Sequence, residues 1–151
     1  MLLNKERALA LMAEHDLVAI IGTTFENVTY LTGHVGWAQR VYRSLQSYAV
    51  MTNDPNAGSD LILTRSDNTY YAAFSGYPER IYSYGGKTAV IFPDNFEPAD
   101  DEQRRFQELT ESAGRHKTVL DALLAALKAR GITRGRIALD DDGCPPALFD
   151  S

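Results

Sequence analysis

The stretch from residue 16 to residue 34 reads DLVAIIGTTFENVTYLTGH and carries the signals that decide the fold. Leu17 to Ile21 form a continuous apolar run that stops at Gly22, which is typical of an interior strand covered on both faces. Residues 28–31, VTYL, are β-branched, aromatic or aliphatic and predict a second short strand just before Gly33. We therefore expect a buried first strand and, after the second, a loop that starts at a glycine.

Helix and strand signals surround this stretch. Residues 3–15 place their leucine, methionine and alanine side chains on one side of a 3.6-residue period, which predicts a helix before the buried strand. Short runs rich in strand-forming residues follow, and the segments between them are rich in turn formers, as in antiparallel hairpins. These predicted strands are 48–52, 60–64, 69–74, 80–84 and 88–92.

The second half of the chain predicts helices with one strand after them. Phe106 and Leu109 indicate a helical stretch, which a glycine interrupts further along the chain. Residues 116–130 carry a regular apolar stripe and predict a helix, and Arg130 suits the negative end of its dipole. Residues 136–140 predict one more core strand. This order of elements predicts an α/β fold, with a mixed sheet flanked by helices in three layers.

The composition describes one globular domain of 151 residues, with 15 basic and 20 acidic side chains and a net charge of −5. No basic cluster that would neutralise phosphates stands out, so nucleic acid is not an expected partner. The single cysteine cannot form a disulfide within the chain, and the first residues lack the apolar core of a signal peptide. No apolar run approaches the ~20 residues of a membrane span. We predict a cytoplasmic protein without a membrane partner.

The sequence contains none of the common nucleotide-, phosphate- or zinc-binding motifs and no serine-nucleophile motif. The acidic run Asp140–Asp142 is interpreted as turn residues, or as acids that favour a helix N-terminus. His15 and His116 lie at predicted helix ends without a catalytic partner close in sequence and are expected to be surface residues. Cys144 has no histidine close in sequence and is expected to be an inert thiol. The aromatic side chains between Tyr70 and Tyr84 are expected to pack in the core or at a subunit interface.

One loop leaves two interpretations open. Gly33 and Gly36 bracket His34 and permit a tight turn, and Trp37 and Arg40 follow closely. In the first interpretation the indole packs on the sheet edge and the guanidinium forms a surface ion pair. In the second, the loop is a binding loop on a rigid scaffold.

The run ERALALMAEHDLVAIIGTTFENVTYLTGH, residues 6–34, resembles the opening of the amino-terminal domain shared by creatinase, prolidase and Xaa-Pro aminopeptidases. The most specific part is residues 27–33, NVTYLTG. The strand meander, the late helix that ends in KARGI at 128–132 and the strand at 136–140 are similar in pattern to the rest of that domain. The segment from residue 34 to the strand at Tyr48 departs from the pattern, so the substrate does not follow from it.

This resemblance implies a mixed, ribonuclease H-like sheet over residues 1–140. Residues 141–151 would then begin the linker helix to a carboxy-terminal catalytic domain. In that family two divalent metal ions, such as manganese, cobalt or zinc, are held there by two Asp, one His and two Glu. The resemblance thus implies no catalytic residue and no metal ligand in this chain.

The implied function is that of a non-catalytic domain of a metal-dependent hydrolase, most simply a proline-specific dipeptidase or aminopeptidase. Its implied partners are its own catalytic domain, a homodimer partner and a short peptide substrate. Under this resemblance His34, Trp37 and Arg40 become candidate substrate contacts, because a cation pairs with a carboxylate and an indole packs on apolar side chains. Two alternatives are a creatinase-like hydrolase of a small non-peptide substrate and a free-standing interaction or ligand-binding module.

Overall fold

The computed structural model of the chain describes residues 2–36, 40, 47–64, 76–85, 92–111 and 114–140. Within these residues the chain forms four helices and six strands. The helices are α1 (Lys5–Glu14), α2 (Phe25–Thr32), α3 (Asp101–Glu111) and α4 (Val119–Ala129). The strands are β1 (Leu17–Gly22), β2 (Ser47–Thr52), β3 (Asp60–Thr64), β4 (Arg80–Tyr84), β5 (Arg115–His116) and β6 (Arg136–Leu139).

The six strands form one mixed sheet in the order β5-β4-β3-β2-β1-β6. The central pairs β1–β2 and β2–β3 are antiparallel, whereas β1–β6, β3–β4 and β4–β5 are parallel. The predicted α/β class with a mixed sheet is therefore confirmed. A likeness to ribonuclease H stays a prediction.

The expected antiparallel pairing of the strands predicted at 48–52 and 60–64 is confirmed by β2 and β3. The expectation of an antiparallel hairpin is wrong for β4, because β3 and β4 run parallel in register from Asp60–Arg80 to Thr64–Tyr84. A parallel pair needs a crossover of about a dozen or more residues, and the chain between Thr64 and Arg80 is long enough for one. The predicted strand at 69–74 and most of that at 88–92 lie outside the described residues, as does the helix expected within 141–151.

Two apolar clusters cover the sheet, one on each face. Neighbouring residues of a strand belong to different clusters, as the alternating direction of strand side chains requires. The first cluster joins Met12, Val28, Leu31 and Leu109 of α1–α3 to Ala49, Met51, Leu61, Leu63 and Ile81. The second joins Ala122, Leu123, Ala126 and Leu127 of α4 to Ala19, Ile21, Tyr48, Val50, Ile62 and Tyr82. Helices thus contribute residues to both apolar clusters, and the three-layer arrangement stays a prediction.

The prediction that residues 28–31 form a strand is wrong, because they lie in helix α2. Two caps define this helix. The Thr24 hydroxyl accepts a hydrogen bond from the Asn27 backbone N–H at 3.3 Å, and Gly33 adopts a left-handed conformation at the other end. Val28, Leu31 and Thr32 are the buried residues of α2, a spacing that fits one face of a helix. The caps and this spacing outweigh the strand preference of the β-branched residues.

The helix predicted over 116–130 is present but starts later, at Val119. Thr118 caps it, and the side chain of Asp121 accepts from the Thr118 backbone N–H at 3.1 Å in a reciprocal capping box. The residues before the cap, Arg115 and His116, pair with β4 as a short strand instead. The cap therefore moves the helix start three residues along the chain.

Candidate functional site

The amino-terminal end of α2 is held by a carboxylate from the far end of the chain. β6 lies parallel beside β1, so Asp140 directly after β6 arrives next to the turn that follows β1. Its Oδ1 accepts from the backbone N–H and the hydroxyl of Thr23, both at 2.8 Å. Its Oδ2 accepts from the backbone N–H and hydroxyl of Thr24 at 3.2 and 3.1 Å, and from Asn27 Nδ2 at 2.7 Å. Asp140 thus joins β6, β1 and α2.

These hydrogen bonds decide the ionisation of Asp140. Burial disfavours the charged form, but the donors of Asn27, Thr23 and Thr24 outweigh burial and lower the pKa of Asp140 below its ordinary value of 3.8. Both carboxylate oxygens are already engaged by protein donors, so Asp140 is suited to a structural role and poorly suited to act as a base or a metal ligand. The sequence predicted a turn or a helix N-terminus here and did not predict these hydrogen bonds, because the donors lie more than a hundred residues away.

The carboxyl-terminal end of α2 is fixed by close packing. The Gly33 N–H donates to the Thr29 carbonyl at 2.7 Å, and the Tyr77 N–H donates to the Thr32 carbonyl at 2.8 Å. A Cβ on Gly33 would lie 2.5 Å from Tyr77 Cε1, and a Cβ on Gly76 would lie 2.8 Å from the Thr32 carbonyl oxygen. Glycines at both positions therefore allow the residues around Tyr77 to pack directly on the end of the helix.

The three predicted site residues are placed differently. His34 is only 2% exposed, its backbone N–H donates to Thr32 Oγ1 at 3.2 Å, and its carbonyl accepts from Thr29 Oγ1 at 2.9 Å. Arg40 is exposed, and its backbone N–H donates to the Gly36 carbonyl at 2.9 Å. Trp37 lies outside the described residues. The structure thus fixes where the loop begins and leaves the prediction of a shared contact surface untested.

Sequence reasoning missed an ion-pair cluster at the end of α4. The Arg130 guanidinium donates through Nε to Asp60 Oδ2 at 2.9 Å and through Nη1 to Glu79 Oε1 at 3.1 Å. The Asp60 side chain is fully buried and that of Arg130 is 9% exposed. Glu79 also accepts from the Gly58 N–H. Arg130 therefore connects α4 to the starts of β3 and β4. It also lies at the carboxyl-terminal end of α4, where its charge suits the helix dipole as predicted.

The pKa values of this cluster move in different directions. Burial raises the pKa of Asp60, although the Arg130 guanidinium opposes that rise. Hydrogen bonds that Arg130 donates to Asp60 and Glu79 outweigh burial and raise the pKa of Arg130, which stays charged. For Glu79, burial is outweighed by the bonds from Arg130 and Gly58, so its pKa is lowered. The cluster is a buried charge pair with a second, half-exposed carboxylate.

The aromatic residues of β4 lie in the core. Tyr82 is 3% exposed and belongs to the α4 cluster, against which Tyr84 packs. The ring of His116 stands 5.9 Å from that of Tyr82, centroid to centroid. The core interpretation is therefore confirmed for Tyr82, whereas Tyr70 and Tyr71 lie outside the described residues.

Among the described residues, no group of three or more His, Cys, Asp or Glu side chains could hold a metal ion. In the same part of the chain, no helix has both the length and the apolar character to cross a membrane. Comparisons with protein-family models, with curated proteins and with solved structures found no match to this chain.

Proposed function

We propose that residues 1–140 are the non-catalytic amino-terminal domain of a metal-dependent hydrolase, most simply an Xaa-Pro dipeptidase or aminopeptidase. The observation that carries the proposal is that residues 27–33, the most specific part of the resemblance, make contacts that hold α2 in place. Asn27 donates to Asp140, the Tyr30 hydroxyl accepts from the Asn4 N–H at 3.0 Å, and Gly33 forms the left-handed cap. Three of the seven motif residues thus form a hydrogen bond or a helix cap that fixes α2.

The proposed role of this domain is to position a loop over an active site that another domain supplies. With α2 held at both ends, the chain leaves Gly33 in a fixed direction. Arg40 is exposed and is the preferred contact for the carboxylate of a short peptide, with Trp37 as the apolar contact. His34 is buried, and its backbone is hydrogen-bonded to Thr29 and Thr32 of α2. Two divalent metal ions and a homodimer partner belong to the proposed whole enzyme.

The test begins with the coding region after Ser151. The proposal expects a catalytic domain with the ligand set of two Asp, one His and two Glu, and hydrolysis of Xaa-Pro dipeptides by the whole protein loaded with manganese. Hydrolysis of a small amidino compound instead would favour the creatinase-like alternative. A stop codon would favour a free-standing module and contradict the proposal.

In that whole enzyme, Arg40→Ala is expected to lower kcat/KM for an Xaa-Pro dipeptide by about 10- to 100-fold, because a charge-assisted hydrogen bond is worth roughly 1.5–3 kcal/mol. Metal content and melting temperature should stay at wild-type values. Arg104→Ala, which removes an exposed cation on α3, is the matched control and should leave the kinetics unchanged. Wild-type kcat/KM for Arg40→Ala would show that the loop is only structural.

A further inference from the structure

One edge of the six-stranded sheet is β6. β6 is the terminal strand next to β1, and no described strand pairs with its outer side. Such an edge presents backbone N–H and C=O groups that can pair with another extended chain. Ile137, in the middle of β6, is 36% exposed, so the edge carries apolar surface as well.

A groove of about 540 Å³ runs between α4 and this edge. Its apolar lining comes from Leu123, Leu124, Leu127, Ile132, Ile137 and Leu139. Leu124 is 47% exposed on the α4 side, facing the same groove as Ile137. The groove therefore offers places for apolar side chains directly beside the outer backbone groups of β6, with which no described strand pairs.

The charge around the groove is positive. Lys128 and Arg134 line it, both exposed, and its described lining includes no acidic side chain. Residues 122–139 contain four cations and no acid, although the chain as a whole has a net charge of −5. Of those four, Arg130 is engaged with Asp60, and the other three, including Arg136, are exposed.

We propose that the β6 edge and the adjacent groove bind an extended segment of a partner protein that presents both apolar and acidic side chains on one face. The segment would add a strand beside β6, and the side chains at every second position would face the groove, with the apolar ones on its apolar lining and carboxylates at Lys128 and Arg134. This inference is independent of the proposed hydrolase function, since it involves the opposite face of the sheet from α2.

Two other occupants fit the surface less well. Lipid headgroups could neutralise the cations but cannot pair with the ladder of backbone groups along a strand edge. A second copy of the chain, joined edge to edge at β6, would bring Lys128, Arg134 and Arg136 close to the same cations of its partner, and like charges across an interface are unfavourable. An acidic extended polypeptide can pair with the backbone groups of β6 and can also neutralise the cations beside the groove.

The experiment selects binders to the 151-residue chain from a display library of random decapeptides. We expect enriched sequences to place apolar and acidic residues two positions apart, on one face of a strand, and we expect an enriched peptide to slow hydrogen exchange of amides in β6. In fluorescence anisotropy, the double variant Lys128→Glu and Arg134→Glu should weaken that peptide at least tenfold. The matched control is Lys117→Glu with Arg105→Glu, which makes the same charge change at two exposed positions elsewhere and should bind as wild type.

Several outcomes would overturn the proposal. These are no enriched peptide, enrichment of basic sequences, or equal weakening by the control variant. Slow exchange of all β6 amides in the free chain would show that the chain itself covers this edge. Binding to phosphatidylserine vesicles that the double variant abolishes, with no peptide selected, would assign the surface to membranes. A dimer in sedimentation that the double variant changes to a monomer would assign it to a second copy.

Discussion

The carboxylate of Asp140 accepts hydrogen bonds from Thr23 and Thr24, the two residues before α2, and from Asn27 within α2. Asp140→Asn keeps the size of the side chain but replaces one acceptor oxygen with a donor group, so at least two of these bonds are lost. We expect the free energy of unfolding at pH 7 to fall by about 2–3 kcal/mol, measured by urea denaturation. Asp94→Asn, at an exposed position, is the control and should change stability by less than about 0.5 kcal/mol.

The same residue predicts a pH dependence. Because the pKa of Asp140 is lower in the folded chain than its ordinary 3.8, its ionisation stabilises the fold above that value. This contribution is lost as the pH falls through the lowered folded-state pKa. The stability difference between wild type and Asp140→Asn should therefore narrow below about pH 4. A difference that stays constant from pH 7 to pH 3 would contradict the assignment.

Gly33 and Gly131 both have positive φ, at +71° and +74°, but they differ in their surroundings. A methyl group added at Gly33 would meet the Tyr77 ring, whereas one added at Gly131 would have no neighbour within 4 Å. Gly131→Ala should cost about 1 kcal/mol from backbone conformation alone, and Gly33→Ala about 2–4 kcal/mol because of the added clash. The excess should largely disappear when both glycine variants are compared in a Tyr77→Ala background. Equal costs in the wild-type background would show that Tyr77 does not press on Gly33.

At the scale of elements, Arg130 ties the end of α4 to two strands. Arg130→Gln leaves the fully buried Asp60 carboxylate without its guanidinium, and we expect a loss of about 3–5 kcal/mol at pH 7 in urea denaturation. In the variant the folded-state pKa of Asp60 rises further, since burial is no longer opposed by Arg130. A raised carboxyl pKa favours the folded state as the pH falls, so the deficit should shrink towards about pH 4.

The exposed pair of Arg104 and Asp101 on α3 is the control for Arg130. Arg104→Gln removes one partner of an ion pair that is open to solvent, so its cost should stay below about 0.5 kcal/mol. A loss for Arg130→Gln no larger than that for Arg104→Gln would show that the buried pair does not hold α4 in place.

At the scale of the whole molecule, the sheet separates two apolar clusters. Ile81 belongs to the cluster of α1–α3 and Ile21 to the cluster of α4. Each Ile→Val substitution should lower the free energy of unfolding by about 0.5–1.5 kcal/mol. The double variant should equal the sum to within about 0.5 kcal/mol, since β2 and β3 separate the two strands and the two residues belong to different clusters. A larger coupling energy would show that the two faces repack together.

The sequence by itself determined elements whose signal is local. The strands predicted at 60–64 and 80–84 have those bounds in the structure, and the helix before Arg130 is present. The periodicity and the turn formers that indicate such elements lie within a few residues of each other. The sequence also placed Gly33 at the start of the candidate loop, where its positive φ requires a glycine.

Only the tertiary structure decided which elements meet. Residues 28–31 became helical because their apolar side chains pack on the sheet and their caps are satisfied, against a local preference for strand. The parallel pairing of β3 with β4 and the links from Asp140 to α2 and from Arg130 to Asp60 connect residues far apart in sequence. Such contacts depend on burial and on partners brought together by the whole fold, which no local pattern encodes.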